Sequence, residues 1–153
     1  MIPLILIGCA GLVGFVFCLA VCRVARRPVP MMPPEAILAI DDDPAFLSAT
    51  KMFLETEGYA VHTAASPKEG IEFFANHQSE VGLVLLDFLM PEMTGDRVFE
   101  RLRAIDPKVP VLWISGHVER ISRENLGDGF CDYLAKPFRM TDLVQKVQIA
   151  RAA

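Results

Sequence analysis

Five side chains of this sequence are of types that do chemistry together: Asp41, Asp42, Asp87, Ser115 and Lys136. Each stands at the end of a short apolar run. Residues 36–40 lead into Asp41 and Asp42, residues 81–86 into Asp87, residues 109–114 into Ser115 and residues 131–135 into Lys136. An aspartate at the tip of a buried strand loses hydration, so it needs a partner, a metal or a reaction in compensation. Three carboxylates gathered at one place repel, and a cation relieves that repulsion. Oxygen ligands with no His or Cys nearby point to a hard ion such as Mg2+, which keeps several of its waters. Lys136 adds a point charge and Ser115 a hydroxyl donor, equipment suited to the oxygens of a phosphoryl group. Asp87 is then placed to act as a nucleophile and form an acyl phosphate.

The elements that must bring these residues together follow from the pattern of the chain. Five apolar runs of strand length, at residues 36–40, 59–64, 81–86, 109–114 and 131–135, are each followed by a helical pattern. Asp43-Pro44 reads as an N-cap with proline at the first helical position. Phe46, Leu47, Thr50, Phe53 and Leu54 then share one helix face, which Gly58 ends. Ser66 and Glu69 form a capping-box pattern before a helix with Ile71, Phe74 and Ala75 inward. Val98, Phe99, Leu102 and Ile105 mark the third helix. The fourth, over about residues 118–126, has only Val118, Ile121 and Leu126 as apolar support, and the fifth (141–151) turns Leu143, Val144, Val147 and Ala150 to the core. Strict alternation of strand and helix implies parallel pairing through right-handed crossovers. Runs one, three and four are almost wholly apolar, as strands covered on both faces must be. Run two carries His62 and Thr63 and run five carries Asp132, which puts those two at the edges. The expected fold is α/β, a doubly wound five-stranded parallel sheet of order 2-1-3-4-5, flavodoxin-like, with ligands beyond the carboxyl ends of strands one and three.

The motifs now carry a resemblance. Asp41 and Asp42 after strand one, Leu85-Leu86-Asp87 with Pro91 and Gly95, Trp113-Ile114-Ser115-Gly116, and Asp132-Tyr133 with Lys136-Pro137-Phe138 together resemble the receiver domains of two-component response regulators. The resemblance extends over residues 35–151. It implies that Asp87 is the phosphoacceptor, that Asp41 and Asp42 hold Mg2+ with Asp87, and that the Leu89 carbonyl also faces the metal. It implies further that Ser115 is the hydroxyl that moves toward the phosphoryl group, Tyr133 the switch aromatic that turns inward with it, and Lys136-Pro137 a cis peptide bond. Leu89 and His117 fall at flanking positions that tune water access in this family. Ser115 replaces the commoner Thr, Thr94 stands where Asp is frequent, and Gly70 where Ala is favoured. The implied partners are a sensor histidine kinase or histidine phosphotransfer protein as phosphoryl donor, and an output protein reached through the surface of helix four, strand five and helix five. Because no output domain follows in the sequence, the signal is expected to leave by contact with another protein or by passing the phosphoryl group onward.

The remaining chain bounds the setting. Residues 2–22 contain no charged side chain and would span about 30 Å as a helix, the thickness of a bilayer core. Arg23, Arg26 and Arg27 follow, with no Lys or Arg before, so the positive-inside rule directs everything after them to the cytoplasm. A missing basic leader and an over-long apolar run argue against a cleaved signal peptide. The domain expectation is a transmembrane helix at 1–22, a basic, proline-rich linker at 23–34 and a receiver domain at 35–153, tethered to the inner membrane. Initiation at Met31 or Met32 would instead leave the protein cytoplasmic. Ala10, Gly14, Cys18 and Cys22 form a stripe of small residues at which a second copy could pack as a homodimer. Three of the four cysteines lie in the apolar segment, Cys131 is alone downstream and there is no C-x-x-C pair, so neither a disulfide framework nor a zinc site follows from them. From Glu35 onward 19 acidic residues face 12 basic ones, a net charge of −7 that makes nucleic acid a poor partner.

Taken singly, the same residues have plainer readings. Two aspartates before a helix satisfy its dipole, and a lone lysine is usually solvated; only their joint placement at successive strand ends makes a site. Competing functions are a receiver that no longer accepts phosphate and serves as a membrane scaffold, a haloacid dehalogenase-like phosphatase, and a flavodoxin-like redox protein. The phosphatase reading lacks the Thr expected after the second Asp, where this chain has Pro44-Ala45. The redox reading requires a first loop that cradles phosphate, which Asp41, Asp42 and Asp43 would repel.

Overall fold

The alternation of apolar runs and helical patterns is realised directly. The computed structural model of the protein describes residues 36–117 and 131–152. Strands β1 (Ala36–Ile40), β2 (Val61–Ala64), β3 (Val81–Asp87), β4 (Val111–Ser115) and β5 (Cys131–Ala135) alternate with helices α1 (Pro44–Thr56), α2 (Pro67–His77) and α3 (Gly95–Ile105), and α4 (Met140–Ala152) follows β5. A single 3-10 turn, Gln78–Glu80, joins α2 to β3. The expected helix at 118–126 and the apolar segment 2–22 lie outside the described residues, and among the described residues no helix is long and apolar enough to cross a membrane.

All strand pairs are parallel, and the order is β2-β1-β3-β4-β5. The polar runs are therefore the edges, as their composition requires. Along β1 successive side chains enter opposite faces. Leu38 and Ile40 join Phe74, Val98, Leu102 and Trp113 on one side, while Ile37 and Ala39 join Leu47, Leu54, Leu112, Leu143 and Val147 on the other. Each such fully buried large side chain contributes about 1.5–3 kcal/mol relative to exposure.

The helix signals act locally as expected. Asp43 accepts from the Ala45 and Phe46 N–H groups and Pro44 opens α1. At the other end Gly58 takes φ +92°, open to glycine at little cost, and the Gly58 and Tyr59 N–H groups donate to the Glu55 and Leu54 carbonyls. That closure keeps Tyr59 and Ala60 out of the strand expected to begin at residue 59. Ser66 caps α2 by accepting from Glu69 N–H, but the Glu69 carboxylate reaches back to Ala65 N–H, one residue earlier than a capping box would place it. In α2 Phe74 is fully buried, yet Ala75 is exposed and Gly70 takes an inward position. The reason is bulk: Ile40 fills that place, and a Cβ on Gly70 would lie 2.5 Å from its Cδ1.

Candidate functional site

The register of the sheet determines which residues meet at its carboxyl rim. Ile40 pairs with Leu86, so Asp41 and Asp87 emerge side by side from the two central strands. Asp87 pairs with Ile114, which brings Ser115 one residue beyond it, and Ser115 pairs with Ala135, after which Lys136 follows. The Lys136 N–H also donates to the Ser115 carbonyl at 2.9 Å, and the Lys136-Pro137 peptide is cis, as the resemblance implied.

Asp41, Asp87 and Ser115 are buried, at 2%, 7% and 1% exposure. Lys136 spans the two carboxylates, its ammonium donating to Asp41 Oδ2 at 2.8 Å and to Asp87 Oδ1 at 3.0 Å. The second oxygens are held by backbone: Asp43 N–H donates to Asp41 Oδ1 and Leu89 N–H to Asp87 Oδ2, both at 2.8 Å. Ser115 Oγ accepts from His117 N–H at 2.9 Å. Burial pushes the Asp87 carboxyl above its ordinary value, with Asp41 adding to the rise and Lys136 opposing it. Burial alone would lower the lysine, but hydrogen bonds and charge attraction from Asp41 and Asp87 outweigh it and hold Lys136 above the ordinary lysine value. Lys136 is accordingly a cation throughout the neutral range.

One small residue, Gly95, shapes the loop after Asp87. Gly95 N–H donates to the Phe88 carbonyl at 2.8 Å, and a Cβ on Gly95 would come within 2.5 Å of the Asp87 carbonyl oxygen. The backbone carrying Asp87 is thus pressed against the start of α3.

Asp42 differs from the other two carboxylates. It is exposed and makes no hydrogen bond or ion pair among the described residues, and no three His, Cys, Asp or Glu side chains form a metal cage there. The donor set nevertheless fits Mg2+. Two buried carboxylates share one ammonium, which leaves net negative charge at a rim made of oxygens, and Mg2+ commonly takes one or two carboxylates and keeps its waters. Leu89 and His117 flank the rim and are exposed. Tyr133 lies on the edge strand, 43% exposed, with the Lys146 ammonium 5.8 Å from its ring centroid; here it is outside rather than inward.

The sequence reading missed what surrounds the lysine. Periodicity assigns Phe46 only to a helix face, yet its ring lies under the Lys136 ammonium, whose nitrogen is 4.4 Å from the centroid. Phe138 meets Phe46 edge-on at 6.1 Å. The available signal was position: Phe46 sits in the first turn of α1, the turn that faces the sheet's carboxyl rim.

A doubly wound sheet with a buried acidic pair, a lysine and a hydroxyl at its carboxyl rim defines the flavodoxin-like α/β class with its site at the topological switch point. Within that class the family is settled by comparison with known proteins. The model of the response regulator receiver domain matches residues 37–148, and this chain belongs to that family. It is 33% identical over 113 residues to the sensor kinase CckA of Brucella abortus, covering 73% of this chain and 12% of that protein. A receiver domain structure from Clostridium thermocellum superposes with a TM-score of 0.70 at 28% identity, covering 76% of this chain and 94% of that one. The Thermotoga maritima response regulator TrrA, solved with Mg2+ and BeF, gives a TM-score of 0.64 at 28% identity, covering 76% and 98%. The chain spans less than half the length of the first curated relatives that it matches.

Proposed function

We propose that the protein is a phosphorylation-controlled switch of two-component signalling, in which Asp87 accepts a phosphoryl group from a phosphohistidine on a sensor histidine kinase or phosphotransfer protein. The observation that carries this reading is the Lys136 bridge between the buried Asp41 and Asp87 carboxylates. It leaves one face of the Asp87 carboxylate beside a fixed positive charge, where charge on a transferring phosphoryl group would be stabilised. Asp41, Asp42, Asp87 and the Leu89 carbonyl would hold Mg2+, which supplies charge neutralisation on the phosphoryl oxygens; the Mg2+ complex of TrrA supports that assignment. In the proposed step the Asp87 oxygen forms a bond to phosphorus as the bond to the donor histidine nitrogen breaks, and the proton balance falls on the leaving imidazole. Ser115, whose Oγ accepts from His117 N–H, then donates its hydroxyl proton to a phosphoryl oxygen, and Tyr133 turns inward, altering the β5 surface that an output protein reads. The chain acts as a phosphoacceptor rather than as a dedicated enzyme.

The same proposal places this switch at the inner face of a bacterial membrane through residues 2–22, supported by their lack of charge and by Arg23, Arg26 and Arg27 beyond them. The test of the switch is incubation with acetyl phosphate or a phosphohistidine donor and Mg2+, comparing wild type with Asp87→Asn. Label on wild type and none on Asp87→Asn is expected; equal label on both would overturn the assignment. Fractionation of cells expressing the full chain tests the anchor, with recovery in the membrane fraction after a salt wash expected and recovery in the soluble fraction overturning it.

A further inference from the structure

The Lys136 ammonium has three N–H bonds, and the two carboxylates account for two of them. On a further side stands an aromatic ring, the Phe46 face at 4.4 Å. Phe46 belongs to α1 and Lys136 follows β5, so helix and strand end meet at this contact. Phe138, two residues past Lys136, packs against Phe46 with its ring at 89° to that of Phe46. Lys136, Phe46 and Phe138 therefore form one contiguous cluster in which the cation meets a ring that is itself packed against a second ring.

Resting on the phosphoacceptor reading above, we infer that Phe46 is a positioning residue for Lys136, its ring face holding the ammonium at the phosphoryl site by cation–π attraction. The physical reason lies in what changes during transfer. The Asp87 carboxylate that anchors the lysine becomes part of an acyl phosphate, which changes that hydrogen bond, whereas the contacts to Asp41 and to the Phe46 ring do not involve the reacting group. A lysine has a flexible four-carbon stem and loses rotamer freedom when it is held. A contact that does not involve the reacting carboxylate keeps the ammonium in place while the charge beside it is redistributed. Only the partly exposed setting of Lys136, 31% for its side chain, limits the strength of the attraction.

An apolar side chain of similar bulk would fill the same space, so electronic character must be separated from packing. The experiment uses the full chain with Phe46→Leu, Phe46→Tyr and ring-fluorinated phenylalanine at position 46; fluorination drains the ring face of negative charge with little change of shape. The rate of Asp87 labelling by acetyl phosphate at saturating Mg2+ is expected to fall stepwise with fluorine number, about 3–10-fold at the highest and by a similar factor in Phe46→Leu. Phe46→Tyr should retain the wild-type rate within about twofold, since its ring face is also electron-rich. Thermal midpoints of the fluorinated proteins should match wild type, which a role in packing alone would also allow, so the rate series is decisive. In parallel, the Lys136 ε-methylene protons should resonate upfield in wild type, from the ring current, and shift downfield in Phe46→Leu. Fluorinated proteins that label at the wild-type rate, or Phe46→Leu that does so, overturn the inference. Wild type that takes no label while its Lys136 protons remain upfield overturns the phosphoacceptor reading, and with it the role assigned to Phe46, while leaving the contact itself in place.

Discussion

Lys136 Nζ lies 2.8 Å from Asp41 Oδ2, an ion pair closed across 95 residues of chain between the first strand and the last. The same ammonium holds Asp87, 49 residues away, at 3.0 Å. One cation thus ties both central strands to the edge strand, and its loss leaves two buried carboxylates facing each other. Lys136→Met should therefore lower stability by about 1–3 kcal/mol, nearer the lower figure because the lysine is partly exposed. Because the folded state raises the lysine pKa, this contribution is complete below the ordinary lysine value and is lost as pH rises through the raised one. Thermal melts should show a constant gap between wild type and Lys136→Met through the neutral range, closing only at strongly alkaline pH.

Asp87 works in the opposite direction. Burial raises its carboxyl pKa, so the folded protein holds that proton more tightly than the unfolded chain. Its contribution to stability is present at pH below the ordinary carboxylate value and is lost as pH rises through the raised one. At neutral pH, without a metal ion, burial and the nearby Asp41 outweigh the attraction of Lys136 and the ionised group opposes folding. Asp87→Asn should abolish labelling and yet raise the melting temperature by about 2–5 °C, with the difference shrinking as the solution is acidified. Added Mg2+ should raise the wild-type midpoint more than that of Asp87→Asn.

Gly95 is predicted to accept no side chain. A Cβ there would stand 2.5 Å from the Asp87 carbonyl oxygen and 2.9 Å from Phe88 Cα, both backbone atoms that cannot rotate away. Gly95→Ala should destabilise by about 1–3 kcal/mol, as overpacking does, and should slow labelling by displacing the loop that carries Asp87. Circular dichroism melts and the labelling rate read the two effects separately.

Gly70 makes a contrasting case. Its Cβ would meet Ile40 Cδ1 at 2.5 Å and Cγ1 at 2.8 Å, atoms of a side chain rather than of the backbone. Alanine at this helical position brings a propensity gain of about 1 kcal/mol that the clash opposes. Gly70→Ala should therefore destabilise the wild type and cost less in an Ile40→Val background, where Cδ1 is gone. A double-mutant cycle by denaturant titration should give a coupling of about 1 kcal/mol. Additive single effects would show that Ile40 does not set the volume at this position.

The order of the strands, the two-sided burial of the central ones and the assembly of Asp41, Asp87, Ser115 and Lys136 at one rim were all legible in the linear chain. They follow from local patterns: apolar runs of strand length, caps such as Asp43-Pro44, and an alternation that admits only parallel crossovers, so that every carboxyl end points the same way. What required tertiary structure was the pairing among those residues. Three carboxylates read as one cluster, yet Lys136 joins only Asp41 and Asp87 and leaves Asp42 exposed. The ring of Phe46 under the ammonium, Ala75 facing outward and Gly70 making room for Ile40 were equally hidden. Periodicity assigns a residue to a face, but which side chains touch depends on rotamer and volume across distant segments, and those are decided only when the sheet and its helices close on one another.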